Sequence, residues 1–432
     1  MRNYENAAQL IESLCGEAIK PAPQEERDKR FLATDDAVAS FATEREFCSA
    51  LKFREEHDLE LEVLPSNFRF GAYMYDAPLV NPMLSQQYGD QDVPDPMLKN
   101  ATDGPDATCL LMRHPAMDGC HYTWHPVMQT ALMGVCRVTG LSGQSLMRTV
   151  PTTGKRVMDP ALKTKVLNAG KDLYNPAVKV LIRDGEVAGL RTSKYAVLDQ
   201  TDGYQAVRKY CIDTYGEEAK FHAASMSEAT TVAELNCGEE ALVNLKQRLL
   251  DAGVVIPKVS LIIRYVTSDV TDSAMRAEPF ILWGEGGKEA LLIPFGEGVA
   301  MRHETGNTVE GFSAKLPELV KSQQEAEDTI EELGNTEIEH LDGCLQRVAM
   351  TTRLGLSDAV VKQQIDKMTA SGITSGTAID VFLSLQECIM NQCRKGNALD
   401  VEKYVQMTES SARLLSVRYK LYDLPVDPDL YQ

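Results

Sequence analysis

The chain lacks the features that most quickly assign a protein to a class. Its ten cysteines, at positions 15, 48, 109, 120, 136, 211, 237, 344, 388 and 393, form no CxxC pair. That spacing excludes a disulfide framework and the common paired-thiolate zinc motifs, and fits reduced thiols in a cytosolic protein. No apolar run approaches the roughly 20 residues that span a bilayer. The opening "MRNYENAAQLIESLCGEAIK" is charged and amphipathic, with no apolar signal core. The expectation is a cytosolic protein with no membrane partner. Positive charge is also short: 44 Lys and Arg face 63 Asp and Glu, a net charge of −19. Such a balance opposes bulk attraction to nucleic acid or an anionic membrane surface.

What is present is an ordinary globular composition, 44% hydrophobic and 25% charged over 432 residues, long enough for two or three domains. Residues 1–60 read as a helical segment: Ala7, Leu10, Ile11 and Leu14 recur at helical spacing, and a second pattern runs from Asp35 through Leu51. Residues 61–144 are strand- and loop-rich, interrupted by the Pro/Asp/Gly-rich "YGDQDVPDPMLKNATDGPDA". Residues 145–314 read as a central α+β domain. Its clearest signal is "VKVLIRDGEVAGLRTSKYAVLD", two β-rich runs around Asp184-Gly185, a dipeptide that tolerates the positive φ of a tight hairpin. Thr201 or Asp202 is expected to cap the helix that follows. "KFHAASM", "TTVAELN" and "KVSLIIRYVTSD" read as strands. Residues 315–432 are helical throughout, with apolar stripes expected to bury a small core of their own, docked on the sheet. Gly334, Gly355 and Gly372 stand at expected helix C-termini. The fold class is therefore α+β: a helical N-terminal segment, a hairpin-rich antiparallel centre and an all-helical C-terminal region.

Gly284-Glu285-Gly286-Gly287-Lys288 brushes against a Walker loop, but Leu282 replaces its first glycine and Glu289 its magnesium-binding hydroxyl. A hairpin turn between "EPFILW" and "EALLIPF" fits better. "FGEGVAMR" lacks dinucleotide-loop spacing. Cys109, His114, Cys120, His121, His125 and Cys136 lie within 28 residues, and that stretch holds three of the seven histidines. Pro126 pushes His125 into extended backbone and breaks the i, i+4 geometry with His121, so buried side chains are expected there, not zinc. No nucleophile elbow or activated-cysteine signature occurs. His303, between Arg302 and Glu304, is a general base only if a partner is brought to it. No metal, cofactor or catalytic residue is assigned.

One window runs against the overall charge. From Met147 to Tyr195 there are ten basic residues (Arg148, Lys155, Arg156, Lys163, Lys165, Lys171, Lys179, Arg183, Arg191, Lys194) and four acidic ones (Asp159, Asp172, Asp184, Glu186), a balance of +6. Tyr174 and Tyr195 lie inside it. Charge along a backbone beside aromatic faces is the physical recipe for single-strand binding. Lys155, Arg156, Lys163, Lys165, Lys171, Tyr174, Arg191, Lys194 and Tyr195 are the expected contact residues.

Three segments carry a resemblance. "VLIRDGEVAGLRTSKYAVLDQTDGYQAV", "TSDVTDSAMRAEPFI" and "AMRHETGN" resemble, in order, the strand-turn-strand-helix, Asn-Ser-Glu-Val and Arg-His-x-Gly segments of the phage- and plasmid-borne family of domain of unknown function 932. Here Thr267-Ser268-Asp269-Val270 replaces Asn-Ser-Glu-Val, and Gly306 falls one residue late after Arg302 and His303. "GTAIDVFLSLQECI" is similar to the family's late helix without its Asn-Ala pair. The likeness spans roughly residues 170–395. It implies a mobile-element protein of a bacterial host cell and supplies no reaction. Ser268, Asp269, Arg302 and His303 are its motif residues. The leading expectation is a non-catalytic protein binding single-stranded nucleic acid in recombination or replication. The alternative is a phage structural or assembly protein, a homo-oligomer associating through its acidic helices.

Overall fold

The computed structural model describes residues 39–74, 108–115, 122–143, 160–183, 186–254, 256–270, 273–284, 291–395, 398–399 and 401–427. The chain begins with β1 (Ala39–Phe41), α1 (Glu44–His57), β2 (Leu59–Val63), β3 (Arg69–Met74), β4 (Thr108–Pro115), β5 (Tyr122–Pro126) and α2 (Leu132–Thr139). Then come α3 (Pro160–Lys171), β6 (Val178–Arg183), β7 (Glu186–Thr192), α4 (Gln200–Tyr215), β8 (Lys220–Met226), β9 (Thr231–Gly238) and α5 (Val243–Asp251). Strands β10 (Val259–Thr267), β11 (Met275–Trp283), β12 (Leu291–Pro294) and β13 (Val299–Met301) complete the main sheet. Helices α6 (Val309–Ser313), α7 (Glu318–Asn335), α8 (Leu341–Thr351), α9 (Asp358–Ala370), α10 (Ala378–Cys393) and α11 (Val401–Ser411) follow. Two short strand pairs, Glu337–Ile338 with Gly376–Thr377 and Arg394–Lys395 with Ala398–Leu399, interrupt this C-terminal region, which was expected to be all-helical. The fold is α+β with antiparallel sheets.

The main sheet runs β1-β8-β9-β10-β11-β12, with β13 also on β11. Its central strand β10 is buried at every position, which is why its sequence reads as a continuous apolar run and not as an alternation. One face meets α4: Tyr265 Oη donates to the Gln200 carbonyl at 3.0 Å. Gly203 makes that approach possible, since a Cβ there would lie 2.6 Å from Tyr265 Oη and 2.5 Å from Met275 Cε. The other face meets α11, where Arg264 Nη1 donates to Thr408 Oγ1 at 2.9 Å and its guanidinium lies over Phe280 and Tyr404. Two smaller sheets, β2-β6-β7 and β3-β4-β5, stand beside the first.

Several local expectations are corrected. The stretch read as a second N-terminal helix opens with edge strand β1, which pairs with β8, and only then enters α1 behind a Thr43–Glu46 capping box. Residues 1–38, with the first helical pattern, lie outside the described residues. Asp199, not Thr201 or Asp202, caps α4, accepting from the Asp202 amide at 2.8 Å. Gly334 is the penultimate residue of α7, packed against Leu249 and Val254, and Thr336 takes the C-cap position. After α8 both Arg353 (φ 51°) and Gly355 (φ 75°) adopt left-handed backbone. The last helix stops at Ser411 and gives way to two 3₁₀ turns, Ala412–Ser416 and Tyr419–Tyr422. There Ser411 Oγ donates to the Thr408 carbonyl and Arg413 Nε to the Ser410 carbonyl, satisfying the helix end with side chains. The C-terminal helices have no separate core: one cluster of buried side chains runs from Phe47 through Ile263 to Leu385 and Tyr419.

The hairpins stand where the turn chemistry puts them. β6 and β7 pair up to Arg183↔Glu186, and β11 and β12 up to Trp283↔Leu291. The turn residues Asp184-Gly185 and the 285–290 segment lie outside the described residues, as do Cys120 and His121. His125 lies in extended β5, opposite Met112.

Candidate functional site

The seam between the main sheet and the β2-β6-β7 sheet holds the densest set of charged side chains. Helix α1 runs directly into β2 through Asp58, and β2 pairs antiparallel with β6, so Asp58 and the end of β6 meet. Arg183, 3% exposed at its side chain, pairs there with Asp58 at 2.5 Å, Glu228 at 3.0 Å and Asp269 at 2.5 Å. Its Nη1 also donates to the Glu228 carbonyl at 2.9 Å. Arg54 of α1 donates to the Ser227 carbonyl at 2.9 Å from the same side. Behind the charges, Met128, Leu181, Ala188, Ala229 and Val270 form an apolar bridge between the two sheets.

Three carboxylates around one guanidinium do not ionise alike. Burial pushes Asp58 above the usual carboxylate range, against the pull of Arg183. Burial acts the same way on Asp269, but Arg183, Arg54 and Arg191 together outweigh it and hold that carboxyl below the usual range. The guanidinium of Arg183, although burial disfavours its charge, is held well above its ordinary value by Asp269, Asp58 and Glu228.

A second layer lies beside the first. Arg191 Nη1 donates to Glu60 Oε2 at 2.6 Å, and Lys179 Nζ lies 3.5 Å from Glu60. The Arg191 guanidinium sits 4.5 Å from the Tyr195 ring centroid. Tyr195 stacks in turn on His303, 4.9 Å between centroids and 2° between planes, and donates through its hydroxyl to the Ser268 carbonyl at 3.3 Å. His303 Nδ1 lies 3.1 Å from the Ala196 carbonyl. A carbonyl only accepts, so Nδ1 carries the proton. Two more backbone bonds, Thr305 N to the Lys194 carbonyl (2.9 Å) and Ala196 N to the His303 carbonyl (3.3 Å), fasten the 302–307 loop to the 194–196 loop. Burial, with Arg191 alongside, lowers the His303 imidazole, and burial raises the Tyr195 phenol.

The segments behind the resemblance therefore converge: Arg191, Lys194 and Tyr195 meet Ser268, Asp269 and His303 in one place. Ser268 Oγ accepts from the Val270 amide at 3.3 Å and shapes the turn out of β10. The side chains of Arg302 and Lys194 point to solvent, Arg302 only 3.7 Å from Glu304.

The basic window does not form a basic surface among the described residues. Lys163, Lys171, Arg191 and Tyr195 are buried, and a phosphate chain does not reach them. Lys171 Nζ donates to the Pro65 carbonyl at 2.9 Å, pairs with Asp172 at 2.6 Å and lies over Phe68. Tyr174 packs half-buried against the apolar cluster of α2, α3 and β6. Lys165 and Lys194 are exposed. Lys155 and Arg156 lie outside the described residues. Three of the window's cations, Lys179, Arg183 and Arg191, pair with Asp58, Glu60, Glu228 and Asp269, none of which is inside it. Asp269 was already a motif residue; Asp58, Glu60 and Glu228 were missed as site residues because each sits at the edge of an element. One signal was available: "DLELEV" alternates in the manner of a half-buried strand and puts Glu60 on the polar side.

The arrangement ties the two sheets together through its charge pairs. Burial pushes the thiols of Cys48 and Cys136 up, and those of Cys344 and Cys388 up to about 12. A hydrogen bond with Cys237, together with burial, raises the Cys211 thiol well above its ordinary value. Such thiols stay protonated and unreactive. Comparison with family models, characterised proteins and solved structures finds no match to this chain.

Proposed function

We propose that this is a non-catalytic assembly protein that self-associates through its helical C-terminal region, in keeping with a mobile-element origin. One observation supports the reading: Arg183 and Arg191, two cations of the basic window, pair with carboxylates inside the seam, and the charged side chains exposed on α7 are mostly acidic. Glu318, Glu325, Asp328 and Glu332 are exposed there, and Glu337 and Glu339 just beyond the helix, against the single exposed Lys321 on the same helix and Arg248 of α5 beside it.

The two kinds of partner respond to salt with opposite sign. Association of two acidic surfaces strengthens as added salt screens their repulsion. Binding to a single strand weakens with salt, by a log–log slope of about −0.7 per phosphate contact. Light scattering of the full chain and anisotropy of a labelled oligonucleotide, each from ~50 mM to ~500 mM salt, separate them. A mass that rises with protein and salt concentration supports assembly. A chain that stays monomeric throughout while binding the oligonucleotide at ~50 mM salt overturns it in favour of nucleic acid.

A further inference from the structure

The end of the described chain lies across α8 as a bound peptide does. Asp423 caps the helix from outside: its carboxylate accepts from the amides of Glu339 (3.0 Å) and His340 (2.8 Å) and pairs with Lys420 at 2.8 Å. Lys420 Nζ also donates to the Glu337 carbonyl at 2.9 Å. One turn along, the backbone at Leu424 and Pro425 rests on Gly343 so closely that a Cβ there would lie 1.9 Å from the Leu424 carbonyl oxygen. Arg347 Nη1 donates to that same oxygen at 2.9 Å. Gln346, fully buried, closes the groove with a two-way amide pair. Its Nε2 donates to the Asp427 carbonyl and its Oε1 accepts from the Asp427 amide, both at 2.9 Å. The far end is anchored by Tyr419, 2% exposed, whose hydroxyl donates to the Leu414 carbonyl at 3.1 Å.

We infer that this groove on α8 also takes the 419–427 segment of a second copy of the chain, so that assembly proceeds by exchange of C-terminal straps. The inference rests on the self-association reading above. The occupant is specified by the groove itself: every contact just named is made to residues 419–427, and the same segment arriving from another copy repeats each of them. Exchange therefore costs no native interaction once both straps are seated, which is the condition for domain swapping. A hinge is present. Val417 (φ −77°, ψ 133°) and Arg418 (φ −85°, ψ 79°) are non-helical residues between the two 3₁₀ turns. They border an open cleft of about 450 Å³ lined by Thr329, Glu332, Thr336 and Ala378; Val417 rests on the main core, and the cleft leaves room beside Arg418 for the chain to turn. The strap also carries apolar side chains that its own subunit leaves uncovered: Leu421 is 71% exposed and Leu424 52%. Two exchanged straps that pass one another bring those leucines together and bury them.

The test is a covalent lock across the strap and groove of the full-length chain. Gln346→Cys with Asp427→Cys replaces a pair already in contact, so oxidation joins each strap to the groove that holds it. Oxidised in its dimeric fraction and run on a non-reducing denaturing gel, the double variant should yield a covalent dimer that either single variant does not. Leu421→Ser with Leu424→Ser, at side chains 71% and 52% exposed in the single chain, should leave the circular-dichroism spectrum unchanged and weaken dimerisation at least about tenfold. If the dimeric fraction gives only the cross-linked monomer, strap exchange is wrong while self-association stands. A native chain that never dimerises overturns both.

Discussion

The rings of Tyr195 and His303 lie parallel, 2° apart in plane, although 108 positions of sequence separate them. Arg191 also lies over the tyrosine ring, 4.5 Å from its centroid, and Glu60 holds Arg191. A single stack thus connects β2, β7 and the loop after β13. Burial of these groups makes the seam a determinant of stability, and its charges make that stability depend on pH.

Removing the central cation should be severe. Arg183→Met leaves Asp58, Glu228 and Asp269 facing one another without a counter-charge, and breaking a buried pair by deleting one partner costs about 3–5 kcal/mol. Urea denaturation is the measurement. A second change, Asp269→Asn in the Arg183→Met background, should recover part of the loss because it removes one of the stranded carboxylates. A single-variant loss below about 1 kcal/mol would mean the pairs behave as surface pairs do.

His303 should give the chain a mild acid sensitivity. Its folded imidazole is held below the ordinary value by burial, with Arg191 adding to the effect and the Ala196 hydrogen bond and Asp269 opposing it. The unfolded chain therefore binds a proton first as pH falls. The histidine's contribution is complete above its unfolded value of roughly 6.5 and is lost as pH drops toward and through the folded one. His303→Phe keeps a flat ring on Tyr195 without a titratable group. Melting temperatures between about pH 5 and pH 8 should fall less steeply on the acid side for the variant than for the native chain; parallel curves would refute the assignment.

Much of the fold was legible in the sequence, and the site was not, for one physical reason. Hairpins and amphipathic helices are written in local periodicity and turn residues, which is why the β6–β7 and β11–β12 pairs and helices α7 to α10 fall where expected. The exceptions are elements with no period to read: the three-residue β1, and the terminal 3₁₀ turns set by Ser411 and Arg413. Site charge is a property of space. Arg183 and Arg191 look like solvent cations until Asp58 and Glu60, more than 120 residues earlier, fold beside them. The convergence of Tyr195, Ser268 and His303 is likewise a matter of sheet order, and no local pattern encodes it.

The basic window should separate into two behaviours under alanine substitution. Arg191→Ala loses a buried pair with Glu60 and the cover over Tyr195, so it should destabilise the fold by about 3 kcal/mol or more. Exposed Lys165 and Lys194 should change stability by no more than about 0.5 kcal/mol each. Any oligonucleotide binding should keep its salt slope in a chain carrying Lys171→Ala, because that ammonium is already engaged by Pro65 and Asp172. A slope shallower by about 0.7 would show that Lys171 does reach phosphate.

The C-terminal helices should prove inseparable from the sheet. Val266 and Val232 of the main sheet pack with Val405 of α11, and Arg264 depends on Thr408 and Tyr404 for its hydrogen bond and its aromatic cover. A chain ending at Lys315 exposes that face, including a guanidinium 1% exposed at its side chain in the intact protein. It retains Glu234 as the partner of Arg264 but no apolar lid over β10 and β12. A contiguous apolar surface of this kind drives association, so the truncated chain should aggregate or change its mass by light scattering. Because one buried cluster runs through both parts, the intact chain should melt in a single transition with equal calorimetric and van't Hoff enthalpies. A soluble, monomeric truncation with an unchanged melting temperature, or two resolved transitions in the full chain, would make the helices an independent domain.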